Sequence, residues 1–134
     1  MAELLKGAPV ARALTEELAD RCAVLRERGV VPTLAIVRVG EREDDLSYER
    51  GALKRCEKVG IEAPADVSQD ELLAAVEGIN ADPAVHGCLM FRPLPAGLDE
   101  DAAAAALDPA KDVDSMTPAS LLTTLSGRGE GFAP

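Results

Sequence analysis

Apolar residues recur along the chain with two alternating periods. Pro9 suits the first turn of a helix, and Val10, Leu14, Leu18, Cys22 and Leu25 follow at helical spacing until Gly29 ends the run. Thr33 to Val39, read as Thr-Leu-Ala-Ile-Val-Arg-Val, is β-rich and mostly apolar and stops at Gly40, which predicts a buried strand. Helical spacing returns from Asp44 to Val59, with Leu46, Leu53 and Cys56 on one face. Ser68 and Glu71 have the spacing of a capping box, and Val67 with Leu72 that of a hydrophobic staple, so another helix is predicted to run to about Asn80. Asn80-Ala81-Asp82-Pro83 ends it. His86-Gly87-Cys88-Leu89-Met90-Phe91 is then an apolar run without helical period, a second and central buried strand.

Pro93 and Pro95 cannot donate ladder hydrogen bonds, so the sheet must stop there. Asp99 to Leu107 reads as an alanine-rich helix, Pro109 to Asp114 as a loop and Pro118 to Leu125 as one more short helix. Strand and helix alternate, with crossovers long enough for parallel pairing. The expected fold class is α/β: a three-layer α/β/α sandwich with a mainly parallel sheet. Ligands of such sheets usually bind where strands exit, which draws attention to Arg92-Pro93-Leu94-Pro95. The expected division is a domain over residues 1–125 and an exit linker over residues 126–134.

Composition narrows the function classes. The 134 residues suffice for one domain with its own core, and the net charge of −10 argues against nucleic acid or an anionic membrane as partner. No apolar stretch reaches the length of a transmembrane helix, and Glu3 and Lys6 interrupt the only candidate for a secretory signal. Cys22, Cys56 and Cys88 are odd in number and form no Cys-x-x-Cys pair; with a single histidine, no metal site is expected. They read as reduced core residues of a cytoplasmic protein. The only aromatic residues are Tyr48, Phe91 and Phe132, so each calls for an explanation.

On the helix after Gly40, an advance of about 100° per residue from Leu46 brings Leu53 and Cys56 to the packed side. Asp45, Tyr48, Ala52 and Arg55 gather on the opposite side. A tyrosine there serves either a subunit or domain contact or a flat ligand whose polar end stays wet.

Three motifs then carry a resemblance. Val39-Gly40-Glu41-Arg42-Glu43-Asp44-Asp45-Leu46-Ser47-Tyr48 with Lys54-Arg55-Cys56-Glu57-Lys58-Val59-Gly60-Ile61 is the first; Val85-His86-Gly87 with Pro93-Leu94-Pro95 is the second; Lys111-Asp112-Val113-Asp114 is the third. In this order and spacing they resemble the bifunctional methylenetetrahydrofolate dehydrogenase/cyclohydrolase family, from about Leu5 to the C-terminus. The resemblance implies that Tyr48 stacks on the aminobenzoyl part of a folate, that Asp114 hydrogen-bonds the pterin, and that Pro93 and Leu94 wall the same cleft. A fixed carboxylate is a charge-assisted acceptor for the amine donors of a pterin edge. Asp112 reads instead as a turn aspartate that bonds its own backbone.

The sequence departs from the family at several site positions. The family's catalytic lysine, four residues after the tyrosine, is Ala52, and Lys54 lies roughly 160° away around the helix. The family's glutamine before its Leu-Pro-Leu-Pro is Phe91, the next leucine is Arg92, a serine is Asp45, and the glycine after Lys-Asp-Val-Asp is Ser115. Hydride removal from the methylene group asks little acid/base work of the protein, whereas opening the methenyl ring needs proton transfer. The expected activity is therefore oxidation of 5,10-methylenetetrahydrofolate with NAD or NADP, with cyclohydrolase activity lost or weakened.

No Gly-x-Gly-x-x-Gly occurs, so the cofactor is expected to bind mainly to a dinucleotide-binding domain outside these residues. The chain alone is expected to transfer no hydride, and the full-length enzyme to be a homodimer. A degenerate non-catalytic folate-binding or assembly module is the alternative. The similar N-terminal domain of a shikimate-type or amino-acid dehydrogenase is disfavoured by Lys111-Asp112-Val113-Asp114 and Pro93-Leu94-Pro95.

Overall fold

The computed structural model describes residues 4–63 and 72–128. Ser68, Glu71 and Val67, which carry the predicted capping box and staple, lie outside the described residues, as do Phe132 and most of the exit segment. In chain order the elements are α1 (Gly7–Glu27), β1 (Leu34–Val37), α2 (Glu43–Val59), α3 (Leu72–Ala81), β2 (Gly87–Met90), α4 (Glu100–Ala106), a 3₁₀ turn (Pro109–Lys111) and α5 (Pro118–Ser126).

β1 and β2 pair in parallel, with Leu34 opposite Gly87 and Val37 opposite Met90. Single parallel bridges extend the sheet on both flanks: Thr33 to Glu62 beyond β1, and Cys88 to Asp112 beyond β2. Pleating sends Ala35, Val37, Cys88 and Met90 to one face, where they form a core with Leu72, Val76 and Ile79 of α3, Ala103 of α4, Leu107 and Met116. Ile36, buried, points to the other face. There α1 and α2 pack together around buried Cys22, Cys56 and Val59. The result is the expected α/β/α layering around a parallel sheet.

Polar caps define the element ends. Asp99 accepts the Ala102 N–H at 2.9 Å to start α4, and Thr117 accepts the Ser120 N–H at 3.1 Å to start α5. Lys111 Nζ donates to the carbonyls of Ile79, Asn80 and Asp82 at 2.6, 3.1 and 2.7 Å, satisfying the orphan end of α3. Asn80 ties the same end to α4 by donating to the Ala106 carbonyl at 2.7 Å and accepting the Asp108 N–H at 2.8 Å.

Three sequence expectations need correction. β1 is shorter than Thr33 to Val39: Thr33 only bridges and Val39 lies outside the strand. Arg38 instead turns back to the Gly40 carbonyl and to Glu49 Oε2, the latter at 2.6 Å. The apolar stripe of α1 is buried only at Cys22, while Val10, Leu14 and Leu25 are exposed. The tertiary contact is near the end of α1, where Arg26 donates to the Gly60 carbonyl at 2.9 Å. Pro9 is the third helical residue rather than the first, still within the turn whose N–H groups have no helical acceptor. Among the described residues, no helix is long and apolar enough to cross a membrane.

Candidate functional site

Three chain segments converge at the exit of the parallel sheet. The first is the end of β2. Phe91 follows the last strand residue, yet its N–H still donates to the Val37 carbonyl at 2.9 Å, and its side chain is buried. The Arg92–Pro93 peptide bond is cis. Two residues on, the Leu94 N–H is held by Glu100 Oε2 at 2.9 Å. Leu94 packs against the core and Pro93 is exposed; neither lines the cavity described below.

The second segment is the start of α2. Gly40, at φ 85°, turns the chain out of β1, and Glu43, Asp44 and Asp45 fill the first helical turn, where negative charge complements the helix dipole. One turn further, Tyr48 stands 64% exposed. Its ring meets Phe91 edge to face, with centroids 5.3 Å apart and an interplanar angle of 82°. Phe91 thus supports the tyrosine from below and leaves its outer surface accessible.

The third segment is the turn after the Cys88–Asp112 bridge. Asp112 is fully buried, and its carboxylate accepts the N–H groups of Asp114, Met116 and Thr117 at 3.1, 3.2 and 2.8 Å. Burial by itself raises the pKa of this carboxyl. Hydrogen bonds from the Thr117 N–H and side chain, Asp114 and Met116 outweigh that and hold it below the ordinary carboxylate value. The turn thereby fixed carries Asp114 outward, and its Oδ2 lies 3.6 Å from Arg92 Nη2. Ser115, in the family's glycine position, adopts the left-handed φ of 53°.

Between these segments lies a cleft of about 400 Å³ lined by Tyr48, Phe91, Arg92 and Asp114, with Leu89 and Met90 contributing from the strand. Asp45 lines it too, paired with Arg42 at 3.9 Å. Arg42 and Asp44, which sequence reasoning passed over, complete the rim. The Arg42–Asp45 spacing on a helix start was a legible signal; the Arg92–Asp114 and Tyr48–Phe91 contacts join distant segments and had none. Ala52, one turn beyond Tyr48, does not line the cleft, and Lys54 lines a separate groove with Arg26 and Arg50.

Chemically the cleft offers a flat ring, the guanidinium groups of Arg42 and Arg92, and the carboxylates of Asp44, Asp45 and Asp114, the last held on a fixed turn. Among the described residues no cluster of His, Cys, Asp or Glu could hold a metal ion. Gly40 is the only glycine between β1 and α2, so that turn does not fit the phosphates of a dinucleotide, which need a glycine-rich loop at a helix N-terminus.

The family model described as tetrahydrofolate dehydrogenase/cyclohydrolase, catalytic domain, matches residues 5–114. Bifunctional protein FolD of Alkaliphilus oremlandii is 45% identical over 139 residues, covering all of this chain and 49% of that protein. The corresponding protein of Clostridioides difficile is 43% identical, covering 98% and 48%. The chain thus spans about half the length of the curated relatives it matches. Among solved structures, bifunctional FolD from Campylobacter jejuni superposes with a TM-score of 0.91 at 31% identity, covering 98% of this chain and 49% of that one. Methylenetetrahydrofolate dehydrogenase-cyclohydrolase from Trypanosoma brucei, complexed with NADP cofactor and inhibitor, gives 0.84 at 30% identity, covering 99% and 48%. The chain belongs to the tetrahydrofolate dehydrogenase/cyclohydrolase family, whose catalytic domain it carries.

Proposed function

We propose that this chain is the folate-binding catalytic half of an enzyme that oxidises 5,10-methylenetetrahydrofolate to methenyltetrahydrofolate with a nicotinamide cofactor, NAD or NADP. The observation that carries the reading is the single cleft bordered by both Tyr48 and Asp114. In it Tyr48 receives the aminobenzoyl ring and Asp114 accepts the amine donors of the pterin. Pro93 and Leu94 serve indirectly, by stiffening the backbone from which Arg92 projects. The dinucleotide is assigned to a further domain, with residues 1–125 the folate domain and residues 126–134 the link toward it; the NADP complex of the Trypanosoma brucei relative supports the choice of cofactor class. The working enzyme is taken to be a cytoplasmic homodimer acting on a small folate.

Cyclohydrolase activity is the weak partner in this proposal. A methyl group at Ala52 can neither donate nor accept a proton, and buried Phe91 offers no hydrogen bond where the family has glutamine. Arg92 stays protonated and makes a poor base. The test is a pair of assays on the full-length protein, methylene oxidation and methenyl hydrolysis, beside the variant Ala52→Lys. Oxidation with slow hydrolysis is expected in the wild type, and the added lysine should raise hydrolysis by roughly a hundredfold or more, the scale of one proton-transfer group. Hydrolysis in the wild type at a rate comparable to oxidation would refute it. Ala52 and Phe91 also favour a second reading, a non-catalytic folate-binding module, which predicts folate binding with no oxidation at all.

A further inference from the structure

Arg92 is braced by its neighbours on both sides. Phe91 is buried and hydrogen-bonded to Val37, and the Leu94 N–H is held by Glu100, so the guanidinium projects into the cleft from a fixed backbone. Asp114 faces it from an equally fixed turn, held by its N–H to Asp112. The two side chains are 39% and 36% exposed, and an ion pair so open to solvent contributes little to folding. Its consequence is orientation. At 3.6 Å the contact is longer than a strong hydrogen bond, so donors on Arg92 and lone pairs on Asp114 remain for a third party. Arg has only donors and an ionised Asp only acceptors, and one wall of the cleft therefore shows a donor beside an acceptor.

The matching ligand edge has an acceptor beside donors. A 2-amino-4-oxopteridine has that order: the carbonyl oxygen, then the ring N–H, then the amino group. Its 2,4-diamino counterpart puts a second amino group where the carbonyl was, so a donor would face a donor. The guanidinium also opposes the protonated ring that diaminopteridines form beside a carboxylate. Resting on the folate reading above, we propose that Arg92 is a specificity-determining residue: paired with Asp114, it selects 4-oxo over 2,4-diamino pteridines by donating to the 4-oxo group.

The test measures affinity of the full-length protein for a 2-amino-4-oxopteridine folate analogue and its 2,4-diamino counterpart by calorimetry. Wild type should prefer the 4-oxo compound by about tenfold or more, the penalty for one unmatched polar group. Arg92→Leu should bring the ratio close to one, and Arg92→Lys, which keeps a charged donor, should retain part of it. Arg92→Met, with the length but not the donors, gives the same reading if the leucine variant fails to fold. A ratio unchanged in Arg92→Leu or Arg92→Met, or a wild type without preference, overturns the proposal while leaving the folate reading intact. Failure of wild type to bind either compound overturns both.

Discussion

Asp112 and Asp114, two residues apart, have opposite surroundings. Asp112 is sealed under the turn and accepts three backbone N–H groups; Asp114 reaches the cleft, where its carboxylate faces the partly exposed Arg92 guanidinium. The first holds the second in place. Because Asp112 titrates below its unfolded value of about 3.9, its bonds stabilise the fold at pH values above that and are lost as pH falls through the lower folded value. Asp112→Asn replaces one acceptor oxygen with a donor, leaving a buried N–H unpaired. Urea unfolding at pH 7 should show a loss of about 1–3 kcal/mol, and the gap to wild type should narrow in acid. A constant gap down to pH 3 would mean the carboxylate's charge does not matter. Part of this was legible: within Lys111-Asp112-Val113-Asp114, Asp112 reads as a turn aspartate that bonds its own backbone, as its bond to the Asp114 N–H shows. The burial of Asp112 was not, because it depends on Thr117 and Met116 folding back over it.

At the scale of elements, the features set by a local period are legible in the sequence, and those set by tertiary cover are not. The helical face of α2 put Tyr48 away from Cys56, and the apolar run at β2 marked the central strand; both depend only on spacing. The stripe along α1 has the same spacing as a buried face, but packing uses only the part near Cys22, so periodicity overstated the core. Likewise, the composition of Thr33 to Val39 could not reveal that the strand would end at Val37, with the Arg38 side chain paired to Glu49 of α2. Gly87, at the start of β2, tests how tightly this element is packed against the site. A Cβ there would stand 2.8 Å from Val113 Cγ1 and 3.3 Å from Leu34 Cδ1. Val113 is a short, branched side chain between the two site aspartates and cannot swing clear without moving the turn. Gly87→Ala should therefore cost about 1–3 kcal/mol in stability, as overpacking does, and weaken folate binding with it. Loss of stability with unchanged affinity would show that the turn absorbs the strain without moving Asp114.

Over the whole molecule, the core can be read through its thiols. Cys22, Cys56 and Cys88 are all free and buried, and they belong to different layers: the first two to the contact of α1 with α2, the third to the sheet's other face. Burial above all, with nearby Asp112 adding to it and Lys111 opposing, pushes the Cys88 thiol up to about 12. Burial, followed by proximity to Cys22, also raises Cys56. The nucleophile in alkylation is the thiolate, so native Cys88 is both covered and in its unreactive form at pH 8, while an unfolded cysteine titrates near about 8.5. Iodoacetamide at pH 8 should leave Cys88 untouched in the native protein and label it fully in urea. Because Cys88 lies in the strand that pairs with both β1 and Asp112, its exposure requires the sheet itself to open. Its labelling midpoint in urea should then coincide with loss of helical circular dichroism, whereas Cys22 and Cys56 can precede it if α1 separates first. Labelling of Cys88 while the circular dichroism remains native would show that the Asp112 side of the sheet opens independently, and would identify the cleft's third wall as a separately folding unit.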